Sequence, residues 1–170
     1  VFCSFSKVTF GGGGLSFATA GKPLFDLLAR QRASMIVCPD KVNQMRHLEF
    51  LKDKEGVLEH MVKHADIVRP KFEVAFDALD VLSPAIGNYQ KPTGGYFISY
   101  DAKRPIAKRV IELCKELGVL ITPAGSTYPH FHDPLDSNIR LAPTFLRTED
   151  LKDAMEVFVT AIMIAHQELD

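Results

Sequence analysis

Between Leu58 and Leu79 the apolar residues Leu58, Met61, Val62, Ala65, Val68, Phe72, Ala75, Phe76 and Leu79 recur with the 3.6-residue period of a helix over about six turns. A proline, Pro70, falls inside the run. The period continues through it. The expectation is therefore one long helix kinked near Val68–Arg69, not two unrelated helices. Such a helix sets apart two stretches of different character.

The stretch after the helix reads as strand–helix–strand–loop–strand–helix. A turn-rich loop holds Gly87-Asn88 and Pro92-Thr93-Gly94-Gly95. Tyr96 to Tyr100 then reads as a strand. Pro105 to Leu117 reads as a helix with Ile106, Val110, Cys114 and Leu117 inward, stopped by Gly118. Val119 to Thr122 and Asn138 to Ala142 read as strands on either side of a Pro-rich loop. Thr148 is placed to cap a last helix, with Glu149 and Asp150 in its first turn and Leu151, Met155, Phe158, Ile162 and Ala165 on its buried face. Three strands with two helices on one face make a compact α/β layer.

The stretch before the helix is less complete. Val1 to Phe10 is rich in β-branched and aromatic residues, Gly11 to Gly14 break it, and Leu15 to Ala20 suits a short buried strand. Pro23 opens a helix, and Lys41 to Leu51 reads as another. The chain begins inside a strand-like segment and without an initiator methionine, so a fragment of a longer polypeptide is expected.

Two side chains stand out chemically. Lys7 sits between Ser6 and the glycine run, on an apolar β-like segment where an ammonium is costly to bury. An amine, the hydroxyls of Ser4 and Ser6, and backbone N–H groups left bare by glycine suit an aldehyde that carries a phosphate. A solvent-facing lysine on an edge strand is the plainer reading, and spacing alone favours it. Arg140 is the second. Strand alternation puts Ile139 and Leu141 on one face and Arg140 on the other, a planar fork suited to a carboxylate. A structural ion pair with Asp136 or another acid fits equally well. The glycine run does not fit a P-loop or a dinucleotide fingerprint. His130 and His132 near Asp133 read as a solvated loop; His47, His60 and His64 sit on helical segments with no partner in view, and His60 and His64, four apart, read as polar surface.

Composition excludes some classes. A net charge of −1 over 170 residues gives no basic field for nucleic acid or anionic lipid, and no apolar run is long enough for a bilayer. Three scattered cysteines, Cys3, Cys38 and Cys114, argue for a reducing, cytoplasmic compartment and against a disulfide framework.

Ser4-Phe5-Ser6-Lys7 resembles the Schiff-base lysine motif of pyridoxal-phosphate enzymes of the aspartate aminotransferase superfamily, fold type I. The closer resemblance is to a bacterial aspartate-aminotransferase-like subgroup related to the aminotransferase domains of MocR-type regulators. Pro39-Asp40-Lys41-Val42-Asn43-Gln44, Lys91-Pro92-Thr93-Gly94-Gly95-Tyr96-Phe97, Thr122-Pro123-Ala124-Gly125 and Asp136-Ser137-Asn138-Ile139-Arg140-Leu141-Ala142-Pro143 carry it further, in the family's order.

The resemblance implies an α/β chain in three parts. Residues 1–53 would be the end of the large cofactor-binding domain, 54–82 a long interdomain helix, and 83–170 the small domain, a short mostly antiparallel sheet with helices on one face. It implies that Lys7 holds pyridoxal 5'-phosphate covalently and moves protons, that Ser4 and Ser6 hold its phosphate, and that Arg140 binds the substrate carboxylate. It implies amino transfer from an aspartate-like amino acid to a 2-oxo acid in a homodimer, with the 170 residues alone inactive or nearly so. Many relatives place a phosphate-binding arginine eight residues beyond the lysine; Leu15 stands there. An effector-sensing domain of a regulator and a non-catalytic dimerisation domain are the alternatives.

Overall fold

The computed structural model describes all 170 residues, which divide into two compact units, Val1–Asp66 and Ile67–Asp170. In the first, strands β1 (Phe2–Ser4) and β2 (Ser16–Ala18) pair antiparallel with Cys3 opposite Phe17. Helices α1 (Lys22–Met35) and α2 (Lys41–Leu51) follow, then the start of α3 (Lys54–Leu79). Pro23 lies in the first turn of α1 as expected. The Asp40 carboxylate accepts from Asn43 N at 2.9 Å and so fixes the start of α2 at the residue the sequence indicates.

Two expectations for this unit are corrected. The strand expected over Val1 to Phe10 ends at Ser4, because Val8 N and Thr9 N both turn back to Phe5 O at 3.0 and 3.1 Å. The strand expected to be buried over Leu15 to Ala20 is Ser16–Ala18, and all three residues are exposed, as a two-stranded ribbon has no second layer over it.

Helix α3 runs unbroken through Pro70, as the period requires. Its buried residues are Phe72, Ala75 and Leu79, whereas Leu58, Met61 and Val62 are exposed. No helix is long and apolar enough to cross a membrane.

The second unit holds the main core. Strands β3 (Gly87–Tyr89), β4 (Ile98–Ala102) and β5 (Asn138–Leu141) form an antiparallel sheet in the order β3-β4-β5. Ile98 pairs with Leu141 and Tyr100 with Ile139 on one face; Ser99 pairs with Arg140 and Asp101 with Asn138 on the other. The apolar face packs against α4 (Ala107–Glu116) and α5 (Thr148–Gln167). Ala107, Val110, Leu113 and Cys114 are buried from α4, and Leu151, Met155, Phe158, Ala161, Ile162 and Ala165 from α5. Burial pushes the Cys114 thiol up to about 11, so it behaves as a small core hydrophobe.

The sheet differs from its expected make-up in one strand. Val119 to Thr122 joins no ladder, and the third strand is Gly87–Tyr89, read from sequence as a turn. A Cβ on Gly87 would collide with the ring and hydroxyl of Tyr100, so close packing demands the glycine that looks like a breaker. Leu117 is exposed, because the chain has already left the helix there. Val119 N bonds Cys114 O at 2.8 Å and Gly118 N bonds Lys115 O at 3.1 Å, with Gly118 at φ +83°. This paired closure satisfies the last carbonyls of α4. Thr148 is the first residue of α5, not its cap; Arg147 takes that place, and its side chain pairs with Asp150 in the first turn instead of capping the backbone.

Candidate active site

Lys7 lies in an exposed turn directly after the Ser4–Ser6 pair, so the desolvation cost inferred from an apolar strand does not arise. Ser4 Oγ donates to Ser6 Oγ at 2.7 Å and accepts from Ser6 N at 3.1 Å. The two hydroxyls are thus held side by side one residue before the amine. Across from them, a Cβ on Gly14 would overlap Ser6 Oγ, Cβ and Cα. Backbone and serine can approach there only because residue 14 is glycine. Asn43 Nδ2 of α2 donates to Gly14 O at 3.2 Å and ties the glycine run to that helix. The Arg46 guanidinium, also from α2, lies over the Phe10 ring at 4.1 Å and against Gly13.

Arg140 stands in the middle of β5 on the polar face of the sheet. Its guanidinium lies over the Phe97 ring at 4.7 Å, and its Nε is buried with no hydrogen-bond partner. The ion pairs of this unit run elsewhere: Arg104–Asp170, Arg109–Glu168, Arg147–Asp150 and Lys91–Asp80. The expected alternative partner, Asp136, serves α4 instead. Its carbonyl accepts from Ala107 N at 2.8 Å and its carboxylate from Lys108 N at 3.2 Å, capping that helix from a distant loop. A buried unsatisfied donor of a guanidinium is costly unless a ligand completes it.

Polar bonds fix the entry to β5. Asn138 Nδ2 donates to Ser99 Oγ at 2.8 Å and to Asp101 Oδ1 at 2.7 Å, while Asn138 Oδ1 accepts from Thr127 Oγ1 at 2.7 Å. Asp133, 8% exposed, receives the N–H groups of Ser137 and Asn138 at 2.8 Å each and that of Leu135 at 3.0 Å. Burial works to raise its carboxyl; the three backbone donors, helped by His132, outweigh that and hold it below the usual carboxylate range.

The sign of the pH effect follows. A depressed folded value contributes stability that is present above the ordinary carboxylate range of about pH 4 and lost as pH falls through the lower folded value. Asp133→Asn is expected to cost about 1.5–3 kcal/mol at neutral pH. It should also flatten the loss of stability between about pH 5 and pH 2, measured by urea unfolding followed by circular dichroism.

The sequence shows no partner for His47 or His60 and favours polar surface for His60; the structure gives each a partner. His47 is 3% exposed and bonds Thr9 Oγ1 at 2.8 Å; His60 bonds Val8 O. They touch the two residues that follow Lys7. A signal was present, since Thr9 and Phe10 need partners that a bare glycine run cannot give, but the sequence does not show which helix supplies them.

The sequence profile described as "Aspartate amino-transferase" matches residues 1–169. An aspartate aminotransferase of Corynebacterium glutamicum is 38% identical over 169 residues, 98% of this chain and 39% of the relative. The crystal structure of an aspartate transaminase from that organism matches with a TM-score of 0.87 at 38% identity, over 98% of this chain and 40% of the other. The HTH-type transcriptional regulator NorG of Staphylococcus aureus is 26% identical over 161 residues, 94% of this chain and 35% of the relative. The fold, though little of the sequence, is shared with LysN, an α-aminoadipate aminotransferase of Thermus thermophilus crystallised with N-(5'-phosphopyridoxyl)-L-leucine. Its TM-score is 0.77 at 24% identity over 96% of this chain and 41% of that one. This chain spans about two-fifths of the length of the relatives it matches. With the profile aligned over all but one of its residues, and with an α/β structure that follows that of an aspartate transaminase, the chain belongs to the aspartate aminotransferase family.

Proposed function

We propose that this chain carries the cofactor-holding lysine and the carboxylate-binding arginine of a pyridoxal-phosphate-dependent aminotransferase, acting on an aspartate-like amino acid and a 2-oxo acid. The observation that carries the reading is the Ser4–Ser6 hydroxyl pair running straight into the Lys7 turn and closed from the other side by Gly14. That donor set fits a phosphate: two adjacent hydroxyls, and backbone approached closely where no side chain intervenes. Leu15 lacks the cation that many relatives place at that point, and Arg46, held against Gly13, supplies a guanidinium beside the same glycine run.

When bound, the cofactor supplies an electron sink for the pair left behind as the substrate Cα loses its proton. The residues of this chain do the rest. Ser4 and Ser6 hold the phosphate. Lys7 Nζ would hold the cofactor through its aldehyde, and as a free amine it would take the proton from Cα. Arg140 grips the α-carboxylate through two parallel bonds and so fixes the direction of the Cα–H bond. Residues 1–53 belong to the cofactor-binding domain on this reading, 54–82 to the interdomain helix and 83–170 to the small domain. The working form is a cytoplasmic homodimer. The 170 residues alone, two-fifths of the relatives' length, are inactive or nearly so.

The test is borohydride reduction of the full-length gene product after addition of pyridoxal phosphate, with the label mapped by mass spectrometry. Lys7 is the expected site, and a label confined to any other lysine overturns the reading. Arg140→Lys separates the second role. It keeps the charge but loses the fork, and is expected to lower kcat/KM by about tenfold to a hundredfold, mostly through KM. The likeness to NorG favours one second reading, an effector-sensing domain of a transcription regulator. That reading expects the same labelled lysine without turnover of any amino acid.

A further inference from the structure

We infer that His47 and His60, from two different helices, are positioning residues that clamp the main chain immediately after Lys7 and so fix where its amine originates. This rests on the proposed role of Lys7. The local bonds of the Lys7 turn all reach one acceptor, Phe5 O, and none involves the carbonyl of Val8. Val8 N, Thr9 N and Thr9 Oγ1 converge on the single carbonyl of Phe5 at 3.0, 3.1 and 3.0 Å. The two lone pairs of that carbonyl serve the two N–H groups, and the single hydroxyl hydrogen of Thr9 is left for a partner outside the turn. The constraint comes from outside. His60 Nε2 of α3 meets Val8 O, the carbonyl of the residue after the lysine. His47 Nε2 of α2 meets Thr9 Oγ1 at 2.8 Å, and its Nδ1 lies 2.8 Å from Asn43 O on its own helix.

The proton positions follow from the partners. Val8 O can only accept, so His60 Nε2 donates. Asn43 O can only accept, so His47 Nδ1 carries the hydrogen, and in the neutral ring Nε2 is left to accept from the Thr9 hydroxyl. Packing locks both rings. His47 meets Phe10 edge-on at 5.1 Å and 80° and lies 6.1 Å from Phe5. Phe50 sits between Phe10 and His60, 5.1 Å from each. The ring contacts run in one series, Phe17–Phe5–His47–Phe10–Phe50–His60, in which Phe5 and Phe10 flank Lys7 along the chain. A side chain orients a reacting amine only as well as its backbone is held, and the bonds of His60 to Val8 O and His47 to Thr9 Oγ1 hold the two residues after it.

The test uses the full-length gene product without added cofactor. Amide hydrogen exchange is followed over residues 6–12, together with the rate at which Lys7 is reductively methylated. His60→Leu, His47→Leu and Thr9→Val, which removes one hydroxyl at nearly constant shape, are expected to speed exchange over that segment by about tenfold and to change Lys7 methylation by at least about threefold. His60→Gln, whose amide can still donate to Val8 O, is expected to stay within about twofold of the parent on both readouts. With pyridoxal phosphate bound, the pH midpoint of the cofactor's visible absorbance should move in the first three variants and not in His60→Gln. Unchanged exchange and methylation in Thr9→Val and in either folded Leu variant overturn the clamp, as does His60→Gln behaving like His60→Leu. If a Leu variant fails to fold, Thr9→Val and His60→Gln decide the matter. A borohydride label on another lysine defeats the proposed function but leaves these cofactor-free readouts standing, so the two failures are distinguishable.

Discussion

On the proposed function, Lys7→Ala in the full-length gene product is expected to abolish amino transfer, with a loss of at least about 10²–10⁴-fold from the missing proton transfer alone. Lys7→Arg should be equally inactive, although it keeps the positive charge. A guanidinium stays protonated at working pH and cannot act as the nucleophile that an amine can. This pair of variants separates chemistry from electrostatics: if charge beside the phosphate were all that mattered, Lys7→Arg would retain activity. Both substitutions lie in an exposed turn, so folding should survive them. Added methylamine can take the proton-transfer role from solution and should restore part of the rate to Lys7→Ala, read in single-turnover experiments. Turnover of Lys7→Ala within about tenfold of the parent would remove Lys7 from the chemistry altogether.

Much of the frame is legible in the sequence, because local signals and tertiary packing agree there. Helix α2 spans Lys41–Leu51 as its sequence indicates, α3 ignores Pro70 because its apolar period does, and α5 buries the residues its spacing selects. The failures occur where a residue answers to something far away in sequence. Gly87 looks like a turn and is a strand residue, because Tyr100 leaves no room for a Cβ. Val119 to Thr122 has the composition of a strand but no ladder partner in the sheet. Composition supplies propensity, and pairing decides.

The candidate site divides in the same way. Ser4, Ser6, Lys7 and Arg140 can be named from motif and alternation, since each sits in a short pattern with a chemical meaning. Their surroundings cannot. His47 reaches Thr9 across 38 positions and His60 reaches Val8 across 52, and no local spacing encodes either bond. Asp136 could be imagined as a partner for Arg140 because it is near in sequence. It is instead spent on the amides of Ala107 and Lys108, which leaves the Arg140 Nε buried and unsatisfied. What the chain lacks around Arg140 is thus as informative as what it places there, and only the folded sheet exposes it.

Phe158→Ala is expected to be the most destabilising single change in the second unit, by about 3–5 kcal/mol. Phe158 is 1% exposed and lies on the buried face of α5. Its ring meets Tyr100 edge-on at 5.9 Å and 85°, which places it between the last helix and the central strand β4. Removing it takes apolar surface out of the core and leaves a cavity that Ile98, Ile139 and Ile162, already fully buried, cannot close without moving the strands. The Tyr100 hydroxyl makes the loss worse. It is already buried without a partner, and burial pushes its ionisation up to about 12, so the ring is held by packing alone. Against a total stability of about 5–15 kcal/mol, such a change should lower the unfolding midpoint by more than about 10 °C. Phe145→Ala removes an equal ring from a site 91% exposed in the same unit, and is expected to change stability by less than about 0.5 kcal/mol. Urea unfolding and amide exchange of α5 measure both. A cost below about 1 kcal/mol for Phe158→Ala, or equal costs for the two variants, would mean that α5 does not seal the sheet that carries Arg140.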